Sequence, residues 1–187
     1  MESIRNYFQQ IGFKGEELEA IVNVFVLQSF DKNDLFVMEG KTSRYIGLVE
    51  SGMFQYYIIK DGEEVTSYVS VAGTWVASVM SFIAEKPSLE NVRAITQGSI
   101  YAISRANLNK LVQTVSGFKD FYIKLLEQSL CGIDESRHDL IVLTAEQRYE
   151  KLLKNQPHLL QQIPLGHLAS MLGITQRHLS RIRNNLR

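Results

Sequence analysis

Apolar residues recur along this chain with different spacings, and each spacing predicts a different kind of element. Over residues 1–23 they lie three and four residues apart, as in an amphipathic helix, with Gly12 and Gly15 as a break. Over residues 24–104 the period changes to two and turn residues punctuate it, which predicts short strands. From residue 105 onward the helical spacing returns. The pattern therefore predicts a mixed α+β chain whose strands lie between helical segments.

The predicted strands are short and are separated by polar or glycine-containing turns, of which Asp61-Gly62 is a strong hairpin signal. The strands are expected over residues 24–30, 35–38, 45–50, 54–59, 64–71, 91–96 and 100–104. An apolar stretch over residues 75–84 predicts a short helix between two of them. Several short strands at this spacing indicate a sandwich or a barrel.

The longest predicted helix spans residues 118–140. Apolar positions repeat along it at alternating intervals of three and four residues, which is the seam of a coiled coil with one polar interruption at Arg137. The seam consists of Ile123, Leu126, Leu130, Ile133, Arg137 and Leu140. A second apolar surface can lie on the β region and consists of Phe118, Phe121, Tyr122 and Leu125. Two apolar faces favour homodimerisation, and the alternative is a helix buried only on its own domain.

After this helix, Thr144 and Gln147 form a capping box that begins a new helix, which Asn155-Gln156-Pro157 ends. Residues 158–162 are expected to be a short connector, and Pro164 suits the first turn of the following helix. The C-terminal part is therefore predicted to be a compact bundle of at least three helices.

Residues 165–187 have the spacing of a helix-turn-helix. Ala169 supplies a small side chain where the second helix crosses, Gly173 can end the first helix in a left-handed conformation, and Thr175 can cap the second. The shared apolar face is predicted to consist of Leu168, Met171, Leu172, Ile174, Leu179 and Ile182. The alternative is a helical hairpin with a solvated basic face.

Charge favours nucleic-acid binding by this stretch. The chain of 187 residues is 45% hydrophobic and 21% charged, and its net charge is zero. Residues 141–187 nevertheless carry seven basic and two acidic side chains, a net charge of +5, which leaves −5 on the remainder. From residue 163 to the end there are four arginines and no acidic residue. A basic tail on an acidic body suits a protein in which one part contacts DNA. The side chains predicted to reach bases and phosphates are Thr175, Gln176, Arg177, Ser180, Arg181 and Arg183.

Other kinds of chemistry find little support. The single cysteine, Cys131, excludes an internal disulfide and is expected to be a buried thiol. The four histidines have no partner at metal-ligand spacing, and no phosphate loop or nucleophile motif is present. We therefore predict no enzymatic activity, no metal and no cofactor. No apolar run is long enough to span a membrane, and the N-terminus lacks the apolar core of a signal peptide, so we expect a cytoplasmic protein.

The order of parts resembles the Crp/Fnr superfamily of bacterial transcription regulators. Beside the helix-turn-helix, the shared marks are Gly40, Glu50-Ser51-Gly52, Asp61-Gly62, Gly73-Thr74-Trp75 and Val92-Arg93-Ala94. The resemblance implies a cyclic-nucleotide-binding-like β-roll, a double-stranded β-helix, as an effector-like domain over residues 1–116. It further implies a dimerisation helix over 117–141 and a helix-turn-helix DNA-binding domain over 142–187.

The same resemblance implies a homodimer on a two-fold site in double-stranded DNA, with half-sites about 34 Å apart. RNA polymerase and an unidentified small-molecule effector belong to the expected partners, and a membrane does not. The alternative function is a cyclic-nucleotide or other small-molecule sensor whose helical tail binds protein rather than DNA.

This sequence departs from the family pattern at the phosphate cassette. Cyclic-nucleotide binders place a Gly-Glu pair after the turn and an Arg-Ser or Arg-Thr pair before the next strand, whereas this chain has Ala77-Ser78 and Ser88-Leu89. An unpaired phosphate in a closed pocket is costly, so we predict that cyclic AMP is not the effector. A cavity near Trp75, Ser78, Ser88 and Asn91 is expected either to hold another small molecule or to be filled by side chains.

A second departure lies at the C-terminus. Family members often carry a β-hairpin wing after the recognition helix, and this sequence ends at Arg187, where that helix should end. We therefore expect no clear wing and a weaker affinity for DNA, with base readout retained.

Overall fold

The computed structural model describes residues 2–185, apart from the side chain of His158. Arg187, one of the four arginines of the basic tail, lies outside the described residues. The helices are α1 Glu2–Ile11, α2 Gly15–Val22, α3 Val79–Ala84, α4 Arg105–Thr114, α5 Phe118–Val142, α6 Ala145–Asn155, α7 Pro157–Gln162, α8 Leu165–Met171 and α9 Gln176–Asn185. The strands are β1 Val26–Phe30, β2 Leu35–Val37, β3 Tyr45–Ser51, β4 Met53–Lys60, β5 Glu63–Val71, β6 Trp75–Val76, β7 Asn91–Ala94 and β8 Gly98–Ser104. The predicted α+β class is confirmed.

The strands form two four-stranded sheets, in the orders β1-β8-β3-β6 and β2-β7-β4-β5. Side chains from both sheets meet in one buried cluster, for example Val49 and Ile100 from the first sheet and Phe54 and Val92 from the second. Gly47 permits the close pairing of β3 with β8, because a Cβ atom there would lie 2.2 Å from Cγ2 of Ile100. These features are those of the predicted β-roll.

A second core cluster lies between the first sheet and the helices that surround it. Phe8 of α1, Ile21 of α2, Leu108 of α4 and Phe118 of α5 are at most 2% exposed and pack with Tyr101 of β8. The amphipathic lead-in predicted from residues 1–23 is therefore confirmed as two helices, and their apolar sides complete the core of the β-roll.

The described chain divides into two compact units. One comprises residues up to Tyr56 together with Ser70–Lys124, and the other comprises Tyr57–Val69 together with the residues from Leu125 onward. The outer part of the β4–β5 hairpin thus groups with the C-terminal helices. The functional boundaries at residues 116/117 and 141/142 stay a prediction.

The capping box at the start of α6 is confirmed. Thr144 Oγ1 accepts a hydrogen bond of 3.2 Å from the Gln147 N–H, and Gln147 Oε1 accepts one of 2.9 Å from the Thr144 N–H. The expected connector over residues 158–162 was wrong, because these residues belong to α7. Pro157 suits the first turn of α7, and burial of Leu159 and Leu160 at 5% exposure holds the helix in place.

Cys131 also differs from expectation, since it is exposed on α5 instead of buried. Cys131 directly follows Leu130 of the predicted seam, which is itself 68% exposed. Among the described residues, no helix combines the length and the apolar character that a membrane crossing requires.

Candidate nucleic-acid interface and effector site

The turn between α8 and α9 is built from backbone hydrogen bonds around one left-handed residue. Gly173 has φ of +68°, a conformation that costs a glycine little. Its N–H donates to the Ser170 carbonyl at 2.9 Å, and the Ile174 N–H donates to the Ala169 carbonyl at 3.0 Å. This is the Schellman arrangement that ends a helix, and it sends the chain directly into α9.

Helix α9 is held by one cap and one apolar face. The Thr175 hydroxyl accepts a hydrogen bond of 3.2 Å from the His178 N–H, as the sequence predicted. Leu179 and Ile182 are 0% and 4% exposed, and Leu168 of α8 is 1% exposed. Ala169 is also buried, which fits the predicted need for a small side chain where the helices cross.

The opposite face of α9 carries the side chains predicted to contact DNA. Thr175, Gln176, Arg177 and Arg181 are exposed, whereas Ser180 and Arg183 are half-buried. Within the described part of the chain, no carboxylate forms an ion pair with an arginine of α9. The outer face of α9 is therefore a strip of hydrogen-bond donors and positive charge.

Gln176 has a neighbour that sequence reasoning missed. A Cβ atom on Gly166 of α8 would lie 2.6 Å from Nε2 of Gln176. The Gln176 side chain therefore lies across the first turn of α8, over a position without a side chain. A glycine at the second position of α8 was the only signal in the sequence.

Helix α8 is also bonded to the outer part of β5, within the same compact unit. The Thr66 N–H donates to Ser170 Oγ at 2.8 Å, Ser170 Oγ lies 3.4 Å from the Thr66 carbonyl oxygen, and Thr66 Oγ1 lies 3.3 Å from His167 Nδ1. No sequence pattern predicted these contacts, because they join residues about a hundred positions apart.

The predicted effector residues are placed in three groups. The Ser78 and Ser88 hydroxyls lie 3.0 Å apart in a buried position, and Ser88 Oγ donates to the Glu90 carbonyl at 2.7 Å. Asn91 Oδ1 accepts a hydrogen bond of 2.9 Å from the Glu39 N–H. The structure thus brings Ser78 and Ser88 together, with Asn91 bonded separately to Glu39, two residues after β2.

Trp75 makes its contacts on the helical side of the β-roll. Its indole N–H donates to Tyr7 Oη at 2.8 Å, and its ring packs near Tyr7, Phe25 and Phe121 at centroid distances of 6.1–6.3 Å. Desolvation raises the pKa of the Tyr7 hydroxyl, and the bond from Trp75 opposes that shift. The indole of Trp75 therefore contacts α1 through Tyr7, the segment before β1 through Phe25 and α5 through Phe121.

Two residues of the cassette region were not predicted. Tyr56 Oη accepts a hydrogen bond of 2.9 Å from the Ala77 N–H and lies 3.4 Å from Ser70 Oγ. Burial raises the pKa of the Glu90 carboxyl, against the opposing effect of a hydrogen bond from Ser78. Strand alternation could not have shown which tyrosine reaches from one sheet to Ala77, which follows β6 of the other sheet. Arg93, whose direction the sequence left uncertain, donates to Gln55 Oε1 at 3.0 Å.

Helix α5 carries a further candidate surface, the seam predicted from the heptad spacing. Ile123, Leu130, Ile133 and Leu140 are between 43% and 68% exposed.

Within the described residues, no group of three or more His, Cys, Asp or Glu side chains is placed to hold a metal ion.

Comparison with known proteins places this arrangement among related folds. Residues 27–115 match the sequence profile of the family described as "Cyclic nucleotide-binding domain". A sequence comparison with curated proteins gives no match.

Three solved structures illustrate the likeness. The catabolite activator protein of Thermus thermophilus has a TM-score of 0.59 at 20% identity, over 94% of this chain and 84% of that chain. A mutant of CooA from Carboxydothermus hydrogenoformans has a TM-score of 0.71 at 19% identity, over 92% and 80%. FixK2 from Bradyrhizobium japonicum has a TM-score of 0.72 at 17% identity, over 87% and 84%. At these identities the likeness is one of fold.

Proposed function

We propose that this protein is a homodimeric, sequence-specific DNA-binding regulator, because residues 27–115 match the profile of the cyclic nucleotide-binding domain and the chain has the fold of Crp/Fnr-type transcription regulators. In this proposal it does not respond to cyclic AMP, and it has no catalytic activity of its own.

The division of α9 into two faces carries the proposal. Leu179 and Ile182 anchor the helix on α8, while Gln176, Arg177 and Arg181 are exposed on the other side. An α-helix with its side chains is about 10–12 Å in diameter, and the major groove of B-DNA is about 12 Å wide, so the exposed strip of this 10-residue helix can lie along base edges. Arginine suits the two acceptors of guanine, and glutamine suits the donor and acceptor of adenine.

The exposed seam of α5 supports a homodimer. Leu130 and Ile133 are 68% and 58% exposed, and apolar side chains in a heptad pattern are covered when a second copy of the helix pairs with the first. Two copies would present two recognition helices, as a two-fold DNA site requires.

The cassette region supports the absence of a cyclic-nucleotide response. The Ala77 N–H is bonded to Tyr56, the Ser78 and Ser88 hydroxyls are bonded to each other, and the Glu90 carboxylate is near them. A bound phosphate would have to displace these bonds and would find no cationic group at positions 78 and 88. Calorimetry with cyclic AMP and cyclic GMP should detect no binding at micromolar concentrations, and a clear binding isotherm there would refute this part of the proposal.

Selection from random duplexes tests the DNA-binding function. The protein should enrich a two-fold motif, and Arg181→Ala should lose about 1–3 kcal/mol of discrimination at one base position of each half-site. Arg44→Ala, which removes the same charge from an exposed position in the β-roll, should leave the motif unchanged. Enrichment of no motif at any salt concentration would contradict DNA recognition, and tail binding to a protein would then be the remaining function.

Sedimentation equilibrium tests the homodimer separately. The double change Leu130→Asp and Ile133→Asp should yield a monomer, because two carboxylates per chain would be placed in an apolar contact. Leu89→Asp, a similar change at a residue 70% exposed outside α5, should leave the dimer intact. A wild-type monomer at high micromolar concentration would contradict the homodimer.

A further inference from the structure

The Arg148 side chain of α6 makes two hydrogen bonds to backbone groups outside its own helix. Its Nη1 donates to the Leu143 carbonyl and its Nη2 donates to the Leu172 carbonyl, both at 2.6 Å. Leu143 follows the last residue of α5, and Leu172 is the C-cap of α8, directly before Gly173. One guanidinium group therefore joins the end of the long helix to the turn of the helix-turn-helix.

The chemistry of both contacts is that of a cation at a helix C-terminus. The last carbonyl groups of a helix lack intrahelical partners and carry the negative end of the helix dipole. Among the described residues no carboxylate pairs with Arg148, so its charge is offset by these two carbonyls, and its Nε is buried without a hydrogen-bond partner. A buried donor without a partner is costly, which indicates that the side chain is held by its position between two segments.

Helix α6 has a separate attachment to α5. Lys151 Nζ lies 2.6 Å from Glu135 Oε1 and 2.6 Å from Asp139 Oδ2, and the hydrogen bonds that Lys151 donates to Asp139 and Glu135 raise its pKa. Because Lys151 already ties α6 to α5, the distinctive contact of Arg148 is the one to Leu172. A Cβ atom on Gly173 would lie 3.9 Å from Arg148 Nη2, so the guanidinium lies directly against the turn.

We propose that Arg148 is a positioning residue for DNA recognition, which fixes the helix-turn-helix relative to the end of α5. This inference rests on the proposed function, since two recognition helices must be held at one separation to read a two-fold site. Arg148 itself does not touch DNA in this scheme. The two-pronged shape of the guanidinium is essential, because Nη1 and Nη2 each donate to a different carbonyl. A lysine ammonium at the same place is a compact point charge that can form a good hydrogen bond to one of these carbonyls but not to both.

DNA binding by the full-length protein gives the first test, with the selected duplex and the same half-sites moved apart or together by one to four base pairs. Arg148→Met should lower the affinity for the native spacing about tenfold and flatten the preference for that spacing, since two charged hydrogen bonds are lost. Arg148→Lys should fall between Arg148→Met and the wild type. Lys154→Met, which removes a charge from an exposed position on the same helix, should match the wild type.

A purely structural role for Arg148 would lower the Tm and the active fraction but keep the spacing preference of the remaining active protein. That outcome, or an equal effect of Lys154→Met, would overturn the proposal.

Amide hydrogen exchange in the free protein gives a second test that does not depend on DNA. In Arg148→Met the amides of Leu143 and Gly173 should both exchange faster, although they lie in separate segments, and Lys154→Met should change neither. If the wild-type protein selects no DNA motif while both amides exchange faster in Arg148→Met, the proposed function fails and the structural link made by Arg148 is supported. If the wild type selects a motif while neither amide exchanges faster, the link made by Arg148 is refuted and the proposed function is supported.

Discussion

The cassette region of the β-roll and the outer face of α9 use polar side chains in opposite ways. In the β-roll, Ser78, Ser88 and Tyr56 are buried. The Ser78 and Ser88 hydroxyls are bonded to each other, and the Tyr56 hydroxyl is bonded to the Ala77 N–H. On α9, Arg177 and Arg181 are exposed and point away from a buried apolar face. Polar groups that already bond to each other must lose those bonds before a ligand can gain them, whereas exposed donors lose only water. The comparison therefore locates the strongest candidate for binding at α9.

The largest effect is expected from the buried side of α9. Leu179→Ala removes a side chain that is 0% exposed and should lower the free energy of unfolding by about 2–5 kcal/mol, because a cavity remains. Urea unfolding followed by the circular dichroism of the helices measures this change. The control is Leu153→Ala on α6, where the side chain is 45% exposed and the loss should be much smaller. Equal losses would show that the burial of Leu179 does not stabilise the protein more than a half-exposed leucine does.

A smaller effect is expected in the cassette region. Tyr56→Phe removes the oxygen that accepts the hydrogen bond from the Ala77 N–H, and a buried donor without a partner costs about 1–3 kcal/mol. Urea unfolding should show this loss, and Tyr45→Phe at a residue 38% exposed should stay within about 0.5 kcal/mol of the wild type. If Tyr56→Phe were neutral, the bonds of the cassette would not be a barrier to ligand binding.

The smallest effect concerns Glu90, whose carboxyl pKa is raised by burial from the usual 4.5. The folded state then holds the proton more tightly than the unfolded state, so the contribution of Glu90 to stability is greatest below pH 4.5 and falls as the pH rises through the raised pKa. Glu90→Gln should remove this fall and give a slightly higher Tm at neutral pH. Tm measured across that interval checks the prediction, with Glu63→Gln at an exposed position as control. A Glu90→Gln profile parallel to the wild type would show that Glu90 is not desolvated.

Sequence spacing predicted most of the fold because each signal was local. The alternation that predicted β3 and β8, the capping box at Thr144 and Gln147, and the glycine at position 173 all act within a few residues. Residues 158–162 were expected to be a connector because these five residues after Pro157 carry too few apolar positions for a helical period to be recognised. Their helix depends on burial of Leu159 and Leu160, which the local pattern does not reveal.

The candidate sites likewise include residues whose placement local sequence predicts and residues whose partners are distant in the sequence. The exposed face of α9 followed from helical periodicity, so the placement of Arg177 and Arg181 could be predicted. Other contacts join residues that are far apart in the sequence: Arg148 bonds to Leu172, Tyr56 to Ala77 and Thr66 to Ser170, over separations of 21 to 104 residues. No local pattern predicts such pairs. Whether Ser78 and Ser88 contact each other likewise depends on how the loop after α3 returns to the sheet.

The exposure of Cys131 has a practical consequence. It is the sole sulfhydryl of the sequence, and it lies midway along α5, next to Leu130 of the seam. A nitroxide or fluorophore can therefore be attached at one defined place without any mutation. In a homodimer the two labels would report the separation of the paired helices directly, with and without a DNA duplex.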